Sequence, residues 1–487
     1  MTWTIHQRLP RLAIRWATLL AVVASPVIAQ SSCSTSLTPT NSIKPSVASG
    51  YQAALVATGL TKPRSLQFDS SGNLLVVEAG KGISSHQLQD DGGICVSVKS
   101  SKDVVGGAGG VGLNHGIALS QDGQTLYASD PEAAYSWNYD PAQSTVGKTN
   151  RTLLTGMGTS DHTTRTLLVS QKEPGLLLVS RGSTENIDPL AAMLSSGHSQ
   201  IRAFNLTNMT GNPYSYDTDG LRLGWGLRNS VGVVEHPNTG GIYSVENSVD
   251  QMMREGKDVH ENNPGEEMNF LGYLNGTEYA RQGSNFGYPY CFAAWVPGDL
   301  PDNGNLTVGS QFAIGDQNRT INDTYCAEQS APRLVFQAHM APLDMKFNDS
   351  GNEAWVTFHG SWDRSDPSGY KLSRLPFANG EPVANSSNNT AYTDIFANMD
   401  NSQCPGNCFR PVGIAIDGSG RLFMSSDASG EIYVIAKEQG ANGSFSGGSG
   451  GSTSGAKPSG APSVAGQRAL SIVSLVLLAL SITYVTT

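Results

Sequence analysis

LQFDSSGNLLVV at residues 66–77 reads as a short alternating strand, a turn closed by Gly72, and a second strand of β-forming residues. IALSQDGQTLYA at 117–128 has the same form. The form returns at Leu167 (LLVSQKEPGLLLVS), Val231 (VGVVEHPNTGGIYSV), Leu343 (LDMKFNDSGNEAWVTF) and Val412 (VGIAIDGSGRLFMSS). Several copies are followed by a third amphipathic strand, at Tyr135–Tyr139, Ile201–Leu206, Tyr370–Pro376 and Glu431–Ala436. Successive copies lie 51, 50, 64, 112 and 69 residues apart. One hairpin cannot bury both of its faces, so six at this spacing must stack around an axis: an all-β, six-bladed β-propeller. A β-sandwich does not predict six equivalent hairpins. The 112-residue interval holds either an insertion of about 60 residues or a seventh blade; Asn262–Ala331 lacks a copy, which favours the insertion. Tyr51–Ala57 precedes the first copy and is placed to pair with the last blade and close the ring.

Composition narrows the class. The 487 residues carry 31 Lys+Arg against 41 Asp+Glu, and 55 are glycine. That acidic balance disfavours a nucleic-acid binder. Long apolar runs occur only at the two ends, which excludes a polytopic membrane protein. At the N-terminal end, Arg8, Arg11 and Arg15 precede an apolar run from Ala17 to Ala24, and Val27-Ile-Ala29 has the form of a cleavage site, so residues 1–29 read as a secretory signal peptide. Residues 30–50 form an N-terminal segment, 51–437 the propeller and 438–466 a Gly/Ser-rich stalk. Residues 467–487 carry a hydrophobic tail; with the small residues Ser459, Gly460 and Ala461 they read as a GPI-attachment signal, the alternative being a single-pass helix. The expectation is an extracellular protein held at the cell surface by a lipid anchor, with a mature charge near −14 once four arginines are removed from a formal charge of −10.

Six cysteines in a secreted chain predict three disulfides, and nearest-neighbour pairing gives Cys33–Cys95, Cys291–Cys326 and Cys404–Cys408. Eleven Asn-x-Ser/Thr sequons predict a heavily glycosylated surface.

Two residues before the first apolar position of the copies stand Arg64, His115, Arg165, Asn229 and Arg410; His162, Arg228 and His339 lie beside that position. In a propeller these are the entries to the innermost strands, at one mouth of the central channel. A single arginine there is usually a loop-capping residue. Four guanidiniums and three imidazoles together repel unless an anion neutralises them, so the mouth is expected to take a multiply anionic ligand. A second cluster, His359-Gly-Ser-Trp362-Asp-Arg364, follows the outgoing strand of the fifth copy and adds a stacking face and another guanidinium.

At this point the chain resembles a known family. DHTTRTL at 161–167, GLRNSVG at 226–232, NFGYP at 285–289, HGSWDR at 359–364 and RPVG at 410–413 are similar, in order, to motifs of the soluble glucose/sorbosone dehydrogenases, six-bladed propellers that use pyrroloquinoline quinone (PQQ). The fungal-type pyranose dehydrogenase branch, with carbohydrate auxiliary activity, is the most similar. The resemblance implies that Arg228, Asn229 and Arg410 bind PQQ, with Arg64, His339, Trp362 and Arg364 as further carry-overs. It implies Ca²⁺ held largely by backbone carbonyls after the fourth copy, here those of Ser248 and Val249. It implies that His162 is the base that takes the proton of a sugar C1 hydroxyl while hydride passes to the quinone. Some members orient this histidine with an Asp after the next strand; here Ser180-Arg-Gly-Ser183 stands in that place, leaving Asp161 as the candidate.

Two other classes carry the same fold. A cofactor-free propeller that binds a glycan or protein need not retain the mouth cations, which this chain keeps. A Ca²⁺-dependent lactonase-type hydrolase would line the channel with carboxylates and Asn, where the repeat positions hold mostly Arg and His. With no cytochrome or carbohydrate-binding module in the sequence, the expected electron acceptor is a separate cytochrome, quinone or oxidative enzyme.

Overall fold

Each of the six copies folds as the two inner strands of one blade. The computed structural model describes residue 1 and residues 37–39, 44–106 and 112–438. Blade 1 runs, from the axis outward, Pro63–Phe68, Leu74–Glu78, Gly82–Asp90 and Val96–Gly106. Blade 2 is Ile117–Leu119, Thr125–Ser129, Ala134–Asp140 and Arg151–Thr155, and blade 3 is Leu167–Val169, Leu176–Arg181, Gln200–Asn205 and Leu221–Trp225. Blade 4 is Ser230–Glu235, Gly241–Glu246, Glu266–Tyr273 and Leu334–Phe336. Blade 5 is Pro342–Phe347, Glu353–Phe358, Lys371–Ala378 and Thr393–Asn398, with Pro45–Val47 added at its edge. Blade 6 takes Pro411–Ile416, Leu422–Ser426 and Glu431–Lys437 from the end of the propeller and Tyr51–Ala57 from its beginning. Ala54 faces Val434 in that antiparallel pair, so the ring closes as the sequence predicted.

The repeated turn has a local cause. Gly72, Gly123, Gly175, Gly240, Gly351 and Gly420 all have φ between 66° and 86°, a region side chains resist. In blades 1 and 6 the aspartate that opens the turn accepts backbone N–H groups: Asp69 Oδ1 from Ser71 and Asn73, Asp417 Oδ1 from Ser419 and Arg421.

The core lies between blades rather than within them. Between blades 4 and 5, Tyr243, Phe270, Phe336, Phe347, Phe358 and Phe377 are buried together. Side chains of this size contribute about 1.5–3 kcal/mol each on burial, which a lone blade could not collect. The long interval in blade 4 is an insertion. Residues 274–333 carry the hairpin Cys291–Ala293 with Gln311–Ala313 and the short helix Asp323–Ala327, and no seventh blade occurs among the described residues.

Two predicted disulfides are present, Cys291–Cys326 and Cys404–Cys408. Cys95 is also disulfide-bonded; Cys33 lies outside the described residues, as do the leader, the stalk and the anchor signal. Among the described residues no helix is long and apolar enough to cross a membrane.

Candidate active site

In an antiparallel blade the entry to the innermost strand and the exit of the second strand share one end. Six such loops converge there on a cavity of about 200 Å³ lined by His162, Arg228, Asn229, Asn247, Ser248, Asp250, Glu266, His339, His359, Trp362 and Arg410. Of the predicted site residues, His162, Arg228, Asn229, Ser248, His339, Trp362 and Arg410 come together at this cavity. Arg64, Arg364 and Val249 do not line it.

His162 is held on a loop whose shape depends on Arg165. Arg165 is fully buried, and its guanidinium donates to the carbonyls of Pro131, Met157, His162 and Thr164 and to Thr159 Oγ1. The sequence placed Arg165 among the mouth cations; the structure makes it the internal brace of the loop that presents His162. His162 Nδ1 lies 2.8 Å from Ser183 Oγ and 3.1 Å from the Ser183 carbonyl. Ser183 Oγ gives its own proton to the Glu185 carbonyl at 2.9 Å, so it accepts from His162. Nδ1 therefore carries the hydrogen and Nε2 the lone pair. Asp161, the candidate orienter, stands 3.9 Å from Nε2, on the wrong nitrogen, and is largely exposed. Burial, reinforced by the Arg228 guanidinium, pulls the imidazole down to about 4, so it is neutral at ordinary pH.

The adjoining wall is built on Arg228. Its backbone N–H donates to Glu246 Oε1 at 2.6 Å, and its side chain reaches the Asn186 carbonyl at 3.1 Å, Asn186 Oδ1 at 2.8 Å, the Asn247 carbonyl at 3.3 Å and Asp250 Oδ2 at 3.2 Å. Arg228 is thus already paired with a carboxylate. So is Arg64, which donates to Asp427 Oδ2 at 2.6 Å. Arg364 is a staple: its side chain donates to the carbonyls of Glu261 and Asp366. His115 lines a separate cavity along the axis, formed by inner strands of the blades, and its Nδ1 is buried without a hydrogen-bond partner. The expected cluster of unpaired mouth cations is therefore smaller than the sequence suggested. Arg410 remains. Its Nε and Nη2 hold the His359 and Gly360 carbonyls at 3.1 and 2.7 Å, and Nη1 has no protein partner among the described residues.

The donor set fits both groups the sequence implies. For an anionic planar cofactor there are Arg410 with an uncommitted donor, Arg228, the cavity-facing Asn229 amide, and Trp362, which is 60% exposed at the lip. For a hard cation, Asp250 and Asp363 place carboxylate oxygens within 4.8 Å of each other and of His339 Nδ1, beside Ser248. Burial opposes the Asp250 charge, but His339 and Arg228 outweigh it and hold the carboxyl below its usual range. Burial likewise opposes a charge on His339, yet Asp250 and Glu266 raise its affinity for a proton. Glu266, buried beneath this wall, accepts from the Ser248 and Ala341 N–H groups and is pushed up to about 7 by burial. Val249 packs its side chain in the apolar cluster with Ala191, Met252 and Tyr288.

Ser183, Asp250, Glu266, His359 and Asp427 line or support the cavity without standing at the strand entries that mark the other site residues. A signal existed for part of this set. The residue directly after the second strand is Ala79, Asp130, Gly182, Asn247, His359 and Asp427 in the six blades, so aligning outgoing as well as incoming ends brings out His359 and Asp427.

Fold and site together define a six-bladed propeller with a cavity at one mouth in which the neutral His162 stands beside an arginine wall. Residues 45–438 match the model of the TrAA12-like family, and the chain belongs to that family. It is 46% identical over 413 residues to the pyrroloquinoline quinone-dependent sugar dehydrogenase of Hypocrea jecorina, covering 83% of this chain and 93% of that one. It is 40% identical to the pyrroloquinoline quinone-dependent pyranose dehydrogenase of Coprinopsis cinerea over 417 residues, 81% of this chain but 55% of that protein. The calcium structure of a Trichoderma reesei enzyme of carbohydrate-active family AA12 superposes with a TM-score of 0.79 at 48% identity, covering 82% of this chain and 98% of the other.

Proposed function

We propose that the chain is a PQQ- and Ca²⁺-dependent sugar dehydrogenase that oxidises the C1 hydroxyl of an aldose or pyranose to the lactone and passes the electrons to a separate acceptor. PQQ, when bound, supplies the hydride acceptor, and Ca²⁺ polarises it. Arg410, Arg228, Asn229 and Trp362 are the residues that would hold the cofactor, and the Ser248–Asp250 segment with Asp363 the cation. The observation that carries the reading is the fixed tautomer of His162. Ser183 leaves the Nε2 lone pair free in a cavity lined with anion-binding donors, which is what a base for a hydroxyl proton requires. Arg228 disfavours the imidazolium, so His162 begins each turnover as the neutral base. The leader, the anchor signal and the sequons support an extracellular, cell-surface location on a lipid anchor, and the disulfides accord with an oxidising compartment.

The test is spectral. PQQ and Ca²⁺ added to the purified protein should give a bound cofactor absorbance that bleaches with an aldose. His162→Gln should bind PQQ yet slow that bleaching by about 10²–10⁴. Because protonation disables the base, the parental rate should hold level from pH 8 to 6 and fall as pH descends toward about 4. A parental rate in His162→Gln would remove His162 from the chemistry.

A further inference from the structure

His359 and Asp427 occupy the same place in consecutive blades, directly after the second strand, and they meet. Asp427 Oδ1 lies 2.8 Å from His359 Nε2, while Oδ2 accepts from Arg64 Nη1 at 2.6 Å. Burial opposes the Asp427 charge, but His359 and Arg64 hold the carboxyl far below its ordinary range, so it can only accept. The hydrogen of His359 is therefore on Nε2, and Nδ1, which has no protein partner among the described residues, carries the lone pair in the wall of the cavity that His162 also lines. The two imidazoles have opposite tautomers and different supports. Serine holds His162; a carboxylate holds His359. Burial, with Arg410 and Arg64, pulls the His359 imidazole below its ordinary range, and Asp427 opposes that pull by charge where Ser183 has none to offer.

This difference acquires a use if the sugar-oxidising reading above is correct, on which the inference rests. Oxidation of the C1 hydroxyl to the lactone removes two electrons and two protons. The hydroxyl proton goes to His162 Nε2, and the hydrogen on carbon leaves with both electrons. When two equivalents of a one-electron acceptor take those electrons, that hydrogen is released as a proton. Beside Arg228, a protonated His162 cannot accept it. We propose that His359 Nδ1 is the second proton acceptor of the cavity, receiving the proton released when the cofactor is reoxidised, with Asp427 as its positioning residue. Charged and titratable groups around His359 are Asp427, Arg64 and Arg410 at the dyad, and His162, Arg228, Asp250, Glu266 and His339 around the cavity.

Two measurements on the full chain decide it. In cofactor-free protein, nitrogen NMR of His359 should show the Nε2–H tautomer, and Asp427→Asn should lower its titration midpoint. In protein loaded with PQQ and Ca²⁺, stopped-flow mixing separates reduction by an aldose from reoxidation by ferricenium, which takes an electron and no proton. Asp427→Asn and the milder His359→Gln should each slow reoxidation about ten-fold more than reduction. An Nδ1–H tautomer in the parent, or equal slowing of both halves, overturns the proposal. A parent that binds PQQ but is not reduced by any aldose removes the functional reading, and this inference with it, before the variants are compared.

Discussion

Arg165 and Arg410 both stand two residues before the first apolar position of their repeat copies, and they end in opposite surroundings. Arg165 is sealed in a cage of four carbonyls and one hydroxyl. Arg410 binds two carbonyls, lies with its guanidinium carbon 5.7 Å from the centre of the Tyr370 ring, and keeps Nη1 uncommitted beside the cavity. The loop before the strand makes the difference. Residues 156–166 fold back over Arg165 and offer it their carbonyls, whereas residues 399–410, tied by Cys404–Cys408, offer Arg410 none of theirs, and its acceptors come from the neighbouring blade, at His359 and Gly360. Repeat register decides which end of the blade a residue reaches. The path of the entry loop, not its length, decides whether that residue's charge faces the protein or a ligand.

The largest expected effect breaks the closed side. Arg165→Met removes the shared donor of five acceptors, only the His162 carbonyl keeping another, from Thr159 Oγ1, and loss of such a network costs about 3–5 kcal/mol. Urea unfolding should show that loss, with Arg165→Lys recovering part of it because one ammonium cannot serve the whole fork. If Arg165→Met unfolds at the parental urea concentration and loses PQQ affinity instead, Arg165 is a mouth cation after all.

A smaller effect sharpens the open side. Arg410→Ala should weaken PQQ binding by about 1.5–3 kcal/mol, the range for a charge-assisted pair, with little change in unfolding. Arg228→Ala should weaken binding and also destabilise the fold, because it leaves the Asp250 charge to His339 alone. Calorimetry with PQQ and Ca²⁺ on folded variants checks both. Unchanged affinity in the two together would remove the arginine wall as the cofactor site.

That contrast also explains what could be read in advance. The six hairpins were legible because alternation and a turn glycine recur locally, and the closing strand followed from the need to complete a ring. His162, Arg228 and Arg410 were legible because strand entries converge by symmetry. Arg64 and Arg165 were misplaced for two reasons: the Arg64 partner, Asp427, shows only when the outgoing strand ends are aligned as well, and the carbonyls that hold Arg165 come from chain reversals that periodicity does not encode. Ser183 was passed over because a serine carries no charge to mark it, and its role appears only once its own proton is traced to Glu185.

The smallest effect tests where the two regions touch. Gly182 lies between the His162 loop and the Arg228–Asn229 wall, with φ outside the left-handed region, so its backbone would accept alanine. Space would not. A Cβ there would stand 2.6 Å from Asn229 Oδ1 and 2.7 Å from His162 Cβ, distances at which something must move. The Asn229 amide can rotate away, but His162 can only shift as a body, and Ser183, the next residue, holds its Nδ1. The shift of a few tenths of an ångström should move Nε2 off line, since rates fall steeply with misplacement of a base. Gly182→Ala should therefore slow sugar-driven reduction about ten-fold while Tm drops only a few degrees. Gly182→Ala with the parental rate would mean that the contact is slack and that Ser183 alone positions the base.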